Sequence, residues 1–493
     1  MKVKSIIKPL IVVQMVISMF CYSQQDLSRI DNYLKEIKGD QVLLSQFFTE
    51  MPKGGDLHNH LTGSVYAETY FDLAMKDKLW VDLDNGKLLS KDDRKVVNKV
   101  QLSDTMSNLH SIRMKLIDLW SVRNFVPAKS ALAPDEFFFG TFGLFSAATN
   151  NHMIDLLKEL KTRAAKEHVQ YLEIMATSPS VETPKIDNYT DLNKWLINNV
   201  HQTDAVIIGK LNEVLTSFNN SKYLNQQSVS YRDSILRWDK NSGTITSPVC
   251  KYLAYTSRGD DPMKVFARLY ISFKSCADDT SKKKIVGVNI VSAENGENSM
   301  LYYHEHMLMF EVLKKNFPTV KTSLHAGELT LGLVKPEDLG SHIWEAVTVA
   351  NSDRIGHGVD IAFEDSSIAL ISRMKDKKHP IAVEINLVSN EFILGVKDKN
   401  HPFPLYFNNN VPIVISTDDP GILRTNLAEQ YTLLVLRYNL SYYDIKNLVH
   451  NSITYSFSTE YEKTTLLKTV NDQFSEFETK WIKYINNINK SKN

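Results

Sequence analysis

Charge of one sign is not in excess here: Lys+Arg and Asp+Glu both number 57 in a chain of 493 residues. No global field draws such a chain to nucleic acid or anionic lipid, so a small molecule is the expected partner. Internal repeats and long low-complexity tracts are absent. No G-x-G-x-x-G follows the first apolar stretch of β character, which argues against a dinucleotide-binding sheet. "YHEHM" (303–307) lacks the H-E-x-x-H spacing of a metalloprotease, and its two histidines, two apart, do not share a helix face. "SPVCKYLA" has no second cysteine in place for the P-C-x-x-C of cytidine deaminases.

Long apolar runs are confined to the start. "MKVKSIIKPLIVVQMVISMFCYSQQ" carries three lysines, an apolar stretch from Leu10 to Phe20, and small or polar residues near Ser23. That is the layout of a secretory signal peptide over residues 1–23, too short for a comfortable membrane span, with an uncleaved anchor helix as the alternative. Phe20 before Cys21 is too bulky for a lipoprotein cleavage site. The mature chain is thus expected in a periplasm or outside the cell, with no membrane segment. Cysteine is scarce, three in all, and only Cys250 and Cys276 follow the signal. In an exported chain they can pair. A disulfide is the expectation by a narrow margin over two buried thiols.

What is present is an alternation. Short apolar runs of β character occur at 54–60, 169–175, 251–257, 284–291, 320–328, 354–360, 381–387 and 411–419, separated by helical stretches such as "HMIDLLKELKTRAAKEH". Eight such units predict a (β/α)₈ barrel with a parallel sheet covered on its outer face, with a doubly wound open sheet as runner-up. Residues 24–50 read as an N-terminal helical extension, a cap for the barrel or a homodimer surface. Residues 51–475 read as the barrel and 476–493 as a polar tail. Excursions at 61–151 and 176–250 exceed ordinary connections and suggest lids, partner surfaces or flexible decorations.

Ionisable groups cluster where these strands end. His58 and His60 end the first, His325 and Glu328 the fifth, His357 the sixth, Asp418 and Asp419 the eighth. Each alone has an ordinary reading: Glu328 in a first helical turn, "STDDP" as a turn, His357 in a loop. In a barrel all seven meet at the C-terminal mouth, where the chemistry of this fold sits. Three imidazoles and one carboxylate suit one Zn²⁺ with a position left for water, and the remaining groups can serve as acid, base and substrate anchor.

"MPKGGDLHNHL", "SLHAGE", "RIGHGVD" and "ISTDDP" occur in the order and approximate spacing of the adenosine deaminase family of metal-dependent hydrolases, which this chain resembles from about residue 45 to 470. The leader and "FFGTF" (138–142) are most similar to its secreted branch, the adenosine deaminase-related growth factors. The resemblance implies zinc on His58, His60, His325 and Asp418. It gives His357 the attacking water and its proton, Glu328 the protonation of purine N1, and Asp419 a hydrogen bond to N7. His60, Thr62, Phe139, Ser292 and Asp419 would contact substrate. The implied reaction converts adenosine or 2′-deoxyadenosine to the inosine product and ammonia.

Two positions depart from the family. Thr62 stands where many members have an Asp for the ribose 5′-hydroxyl, and Ser292 stands where a glycine N–H serves the purine edge. A serine Cβ restricts φ there. Deamination is therefore better supported than adenosine itself. The alternatives are another 6-aminopurine or 6-substituted purine, and a secreted binding protein that keeps the fold without turnover.

Overall fold

The computed structural model describes residues 27–200, 202–243 and 247–492. The expected signal segment lies outside them. Eight parallel strands form the centre: β1 (Gly54–His60), β2 (Val169–Thr177), β3 (Val249–Ser257), β4 (Ile285–Val291), β5 (Lys321–Ala326), β6 (Arg354–His357), β7 (Ala382–Ile385) and β8 (Ile413–Ile415). They pair in chain order, and a bridge between Asn59 and Asp418 joins the first strand to the residues just past the last. The sheet is thereby a (β/α)₈ barrel, as the eight apolar runs predict. Runs such as "VQYLEIMA" are buried residue after residue because helices cover them outside and side chains fill them inside. The helix Met153–Lys166 buries Leu156, Leu157, Leu160 and Ala164, the spacing of one helical face.

The barrel interior is not wholly apolar. Arg354, 1% exposed, donates to Glu173 and to Glu384 at 2.5 Å each and stacks on Phe457, 3.7 Å from the ring centroid. A buried ion pair gains only if its remaining valences are met. Here Glu173 also accepts from Tyr171 Oη and Phe457 N, and Glu384 accepts from Ser323 Oγ. This charged plug sits directly beneath the site described below.

Three expectations change. Cys250 and Cys276 are free thiols: Cys250 Sγ turns to the Pro248 carbonyl and Cys276 Sγ to that of Ile285. Burial pushes both thiols up to about 12, so neither is a ready nucleophile. The segment read as a polar tail continues a helix, Glu460–Lys492, whose Phe477, Trp481 and Ile485 are buried. Tyr33 and Phe47 of the N-terminal helices pack on Trp481, so that extension is tied to the C-terminal helix. Nor is the excursion at 176–250 a flexible decoration. It forms helices Asp204–Asn220 and Lys222–Asn241, and Phe218 packs on Phe266 and Tyr270 of the barrel helix Pro262–Asp278. No helix among the described residues is long and apolar enough to cross a membrane.

Candidate active site

The C-terminal strand ends surround a cavity of about 370 Å³, within the range of roughly 300–1,000 Å³ usual for small-molecule sites. His60, Thr62, Phe139, Ser292, His325, Glu328, His357, Asp418 and Asp419 all line it. His58, fully buried, lies under the floor against Asp418. Every residue singled out in the sequence is therefore brought to one place.

Several backbone features make that convergence possible. His357, Asp418 and Ser292 hold φ of 68°, 66° and 95°, the left-handed region that costs a non-glycine residue roughly 1–3 kcal/mol and recurs at functional sites. Ser292 thus adopts the glycine-like conformation its Cβ disfavours. Gly63 and Gly356 are close-approach positions. A Cβ on Gly63 would stand 1.4 Å from Asp419 Oδ1, and one on Gly356 2.8 Å from His58 Cε1.

The imidazoles are oriented from behind. His58 Nδ1 meets Glu384 Oε2 at 2.7 Å, the carboxylate already gripped by Arg354. His325 Nδ1 meets Asn289 Oδ1 at 3.0 Å. These contacts aim both Nε2 atoms forward. His58 Nε2 and His60 Nε2 lie 3.4 and 3.3 Å from Asp418 Oδ1, and His60 Nε2 is 3.2 Å from His325 Nε2. Ser389 Oγ donates to the other Asp418 oxygen at 2.7 Å.

Electrostatics follow from burial and these contacts. Burial, then the neighbouring His58, keeps His325 far below its ordinary value, and burial likewise lowers His60, so both are neutral ligating bases. Burial also opposes charge on His58, but Asp418 and Glu384 outweigh it and raise it to about 10. This is the point in the floor where two carboxylates draw positive charge, be it a proton or a cation. Burial, then Asp418 and Glu294, raises Glu328 well above the carboxylate range; burial, then Asp418, does the same for Asp419. In both, the surroundings favour the protonated form.

The donor set fits a divalent metal. His58 Nε2 is buried without a hydrogen-bond partner, and the nitrogens and oxygens of His58, His325, His357 and Asp418 lie within 4.8 Å of one another, with His60 against the same Asp418. Three imidazoles and a carboxylate suit zinc. The geometry alone leaves His60 and His357 as rivals for the third imidazole.

Other functional groups gave weaker signals in the sequence. Phe138, Phe142 and Phe145 join Phe139 in the cavity wall, and Tyr255, Thr177, Ser257 and Arg268 close its far side. The run "FFFGTFGLF" announces an aromatic helix but not which faces point inward. Glu384 could have been noticed as a carboxylate inside the apolar strand "AVEI". Asn289, Ser389, Asn390 and His401 carry no linear signal.

The adenosine deaminase family model matches residues 264–473. Adenosine deaminases of Clostridium kluyveri and Shewanella woodyi are 23% and 22% identical over 85% and 84% of this chain and 92% and 96% of their own. That of Clostridium acetobutylicum is 30% identical over 150 residues, 41% of its length. Among solved structures, the N6-mAMP deaminase of Arabidopsis superposes with a TM-score of 0.55 at 18% identity, covering 87% of this chain and 99% of that one. The adenine deaminase of Arthrobacter aurescens gives 0.51 at 17%, covering 86% and 99%. The chain is thus similar to adenosine deaminases along most of its length and shares the barrel of these deaminase structures.

Proposed function

We propose that the protein is an exported, zinc-dependent hydrolase that converts adenosine or 2′-deoxyadenosine to the inosine product and ammonia. The observation that carries this is the pairing of two buried carboxyls whose charge is opposed by burial, Glu328 and Asp419, with the neutral imidazoles of His60 and His325 and with His58 around one ionised Asp418. His58, His60, His325 and Asp418 would hold the metal, which when bound acidifies a water for attack at the ring carbon that carries the amine. Glu328 gives its proton to N1 and so makes C6 electrophilic. N7 has a lone pair and no proton, so its partner must be a donor, and protonated Asp419 is one. Phe138, Phe139 and Phe142 shelter the ring from water. The leader sequence supports export.

Thr62 and Ser292 favour a second reading, in which the same chemistry acts on another 6-substituted purine. Adenosine, 2′-deoxyadenosine, adenine, AMP and N6-methyl-AMP should be followed by ultraviolet absorbance, with and without a chelator. Turnover of the two nucleosides, lost on chelation and restored by zinc, is the expected result. Turnover of another member of the panel alone would replace the substrate assignment, and turnover of none by folded, zinc-loaded protein would refute it.

A further inference from the structure

His357 has a third neighbour besides Glu328 and Asp418. Its Nδ1 lies 3.0 Å from Asn390 Nδ2; Asn390 Oδ1 lies 3.1 Å from His401 Nε2; and His401 Nδ1 accepts from the Phe403 backbone N–H at 3.0 Å. All three contacts are buried, and they can be read in one direction only. A backbone N–H can only donate, so His401 Nδ1 carries no proton and Nε2 must carry one. That proton needs an acceptor, which fixes Asn390 with its oxygen towards His401 and its amide N–H towards His357. His357 Nδ1 is therefore a bare lone pair. Reversing the amide would set two donors against each other at His401.

We infer that Asn390 and His401 are positioning residues that lock His357 in the tautomer with its proton on Nε2, so that His357 enters the reaction as a hydrogen-bond donor and not as a metal ligand or a resting base. Two consequences follow. An Nε2 that carries a proton has no lone pair for a metal, which decides between the rival imidazoles in favour of His60. Nε2 faces the site 3.9 Å from Asp418 Oδ2 with no partner of its own, so its N–H is free for the attacking oxygen and the negative charge that develops there. Once Glu328 has passed its proton to N1, its carboxylate can receive the proton that the water loses, and no proton need go to His357. Glu328 Oε1 lies 3.5 Å from His357 Nδ1, and a bare Nδ1 is compatible with a protonated Glu328 at that distance.

The catalytic half of this inference rests on the deaminase reading; the tautomer does not. Neutron diffraction from deuterated crystals of the zinc-loaded full chain places the proton directly. Deuterium on Nε2 of His357, with none on Nδ1, is the expected result, and deuterium on Nδ1 or a metal bond from Nε2 overturns the inference. Asn390→Asp is nearly isosteric and still accepts from His401, but it now accepts from His357 as well and moves the proton to Nδ1. Loss of one such donor is worth about 10²–10³ in kcat, so N390D should lose that much with KM within about threefold. An unchanged kcat with the proton moved would overturn the donor role. A wild-type protein with the expected tautomer but no turnover of any purine would leave the lock standing and remove the deaminase reading.

Discussion

Residues 61–152 and 178–248 both leave the C-terminal rim of the barrel, after β1 and β2, and each is far longer than an ordinary connection. The first turns inward. Its helix Pro134–Phe145 lies across the mouth, tied at one end by Asn295 Nδ2 to Asp135 and at the other by Phe145 stacked on Tyr70 at 4.3 Å. It gives the cavity Phe138, Phe139, Phe142 and Phe145. The second turns outward and runs down the barrel's side. Its described residues lend the cavity none of its lining, which resumes only at Tyr255. Its amphipathic helices bury Ile207, Leu211, Val214 and Phe218, whereas the first helix is apolar nearly all round. A helix with one apolar stripe is satisfied by one neighbour, and a helix with more has surface left to line a pocket. An insertion's composition by face, more than its length, tells what it is for.

The mouth and the flank should respond differently to mutation. The largest effect belongs to the mouth. Glu328→Gln keeps the shape and removes the acid, so kcat should fall by about 10²–10⁴, the usual worth of a positioned acid. Because burial already opposes the Glu328 charge, thermal stability should hold or rise. A fall in Tm together with activity would mean that Glu328 is structural.

The flank should show the reverse. Asp239, at the foot of Lys222–Asn241, accepts from Lys161 Nζ at 2.8 Å and from Tyr252 Oη, and pairs with Lys284. Asp239→Asn leaves two lysines without their anion, at a cost of about 1–3 kcal/mol in stability. Denaturant midpoints should move and kcat/KM should not. A change in KM would show that the flank reaches the mouth after all.

Smaller still is Phe142→Ala. This half-buried ring is one wall of the cavity, and losing its apolar contact is worth about 1–2 kcal/mol. KM should rise several-fold with little change in kcat. An equal loss in a melting temperature and none in KM would return Phe142 to the core.

The contrast between the two excursions explains what could be read from the sequence. The eight strands and the seven polar groups at their ends were legible because each is a local pattern: an apolar run, then a histidine or an acid. The aromatic run "FFFGTFGLF" singled out Phe139 but did not show that Phe138, Phe142 and Phe145 line the cavity with it, because which face of an apolar helix meets a cavity is set by where the helix crosses. Glu384, Asn390 and His401 reach His58 and His357 from a strand, a helix and a loop, and no spacing announces such a pairing. The disulfide expected of Cys250 and Cys276 does not form: an oxidising compartment permits pairing but says nothing of where each Sγ points. The C-terminal segment was misread because Phe477, Trp481 and Ile485 recur every four residues amid lysines and asparagines, a helical stripe that average polarity conceals.

The smallest effect tests how each excursion is fastened. Both are clasped by a histidine between two carboxylates: His152 between Asp77 and Asp155 in the first, His304 between Asp204 and Glu345 across the second. Hydrogen bonding to Glu345, partly opposed by burial and helped by Asp204, raises His304 from 6.5 to about 9. A folded value above the unfolded one means that the clasp stabilises fully below about pH 6.5 and is lost as pH rises through about 9. The side chain is 35% exposed, so screening limits the gain to under about 1 kcal/mol. The Tm of wild type should exceed that of His304→Gln at pH 6 and match it near pH 10, with kcat/KM equal at both. His152 is also raised, by Asp155 and Asp77 against burial, but it fastens the excursion that roofs the mouth. His152→Gln should therefore lower Tm at pH 6 and raise KM as well. A KM shift from His304→Gln, or none from His152→Gln, would erase the distinction between a lid and a flank on which the comparison stands.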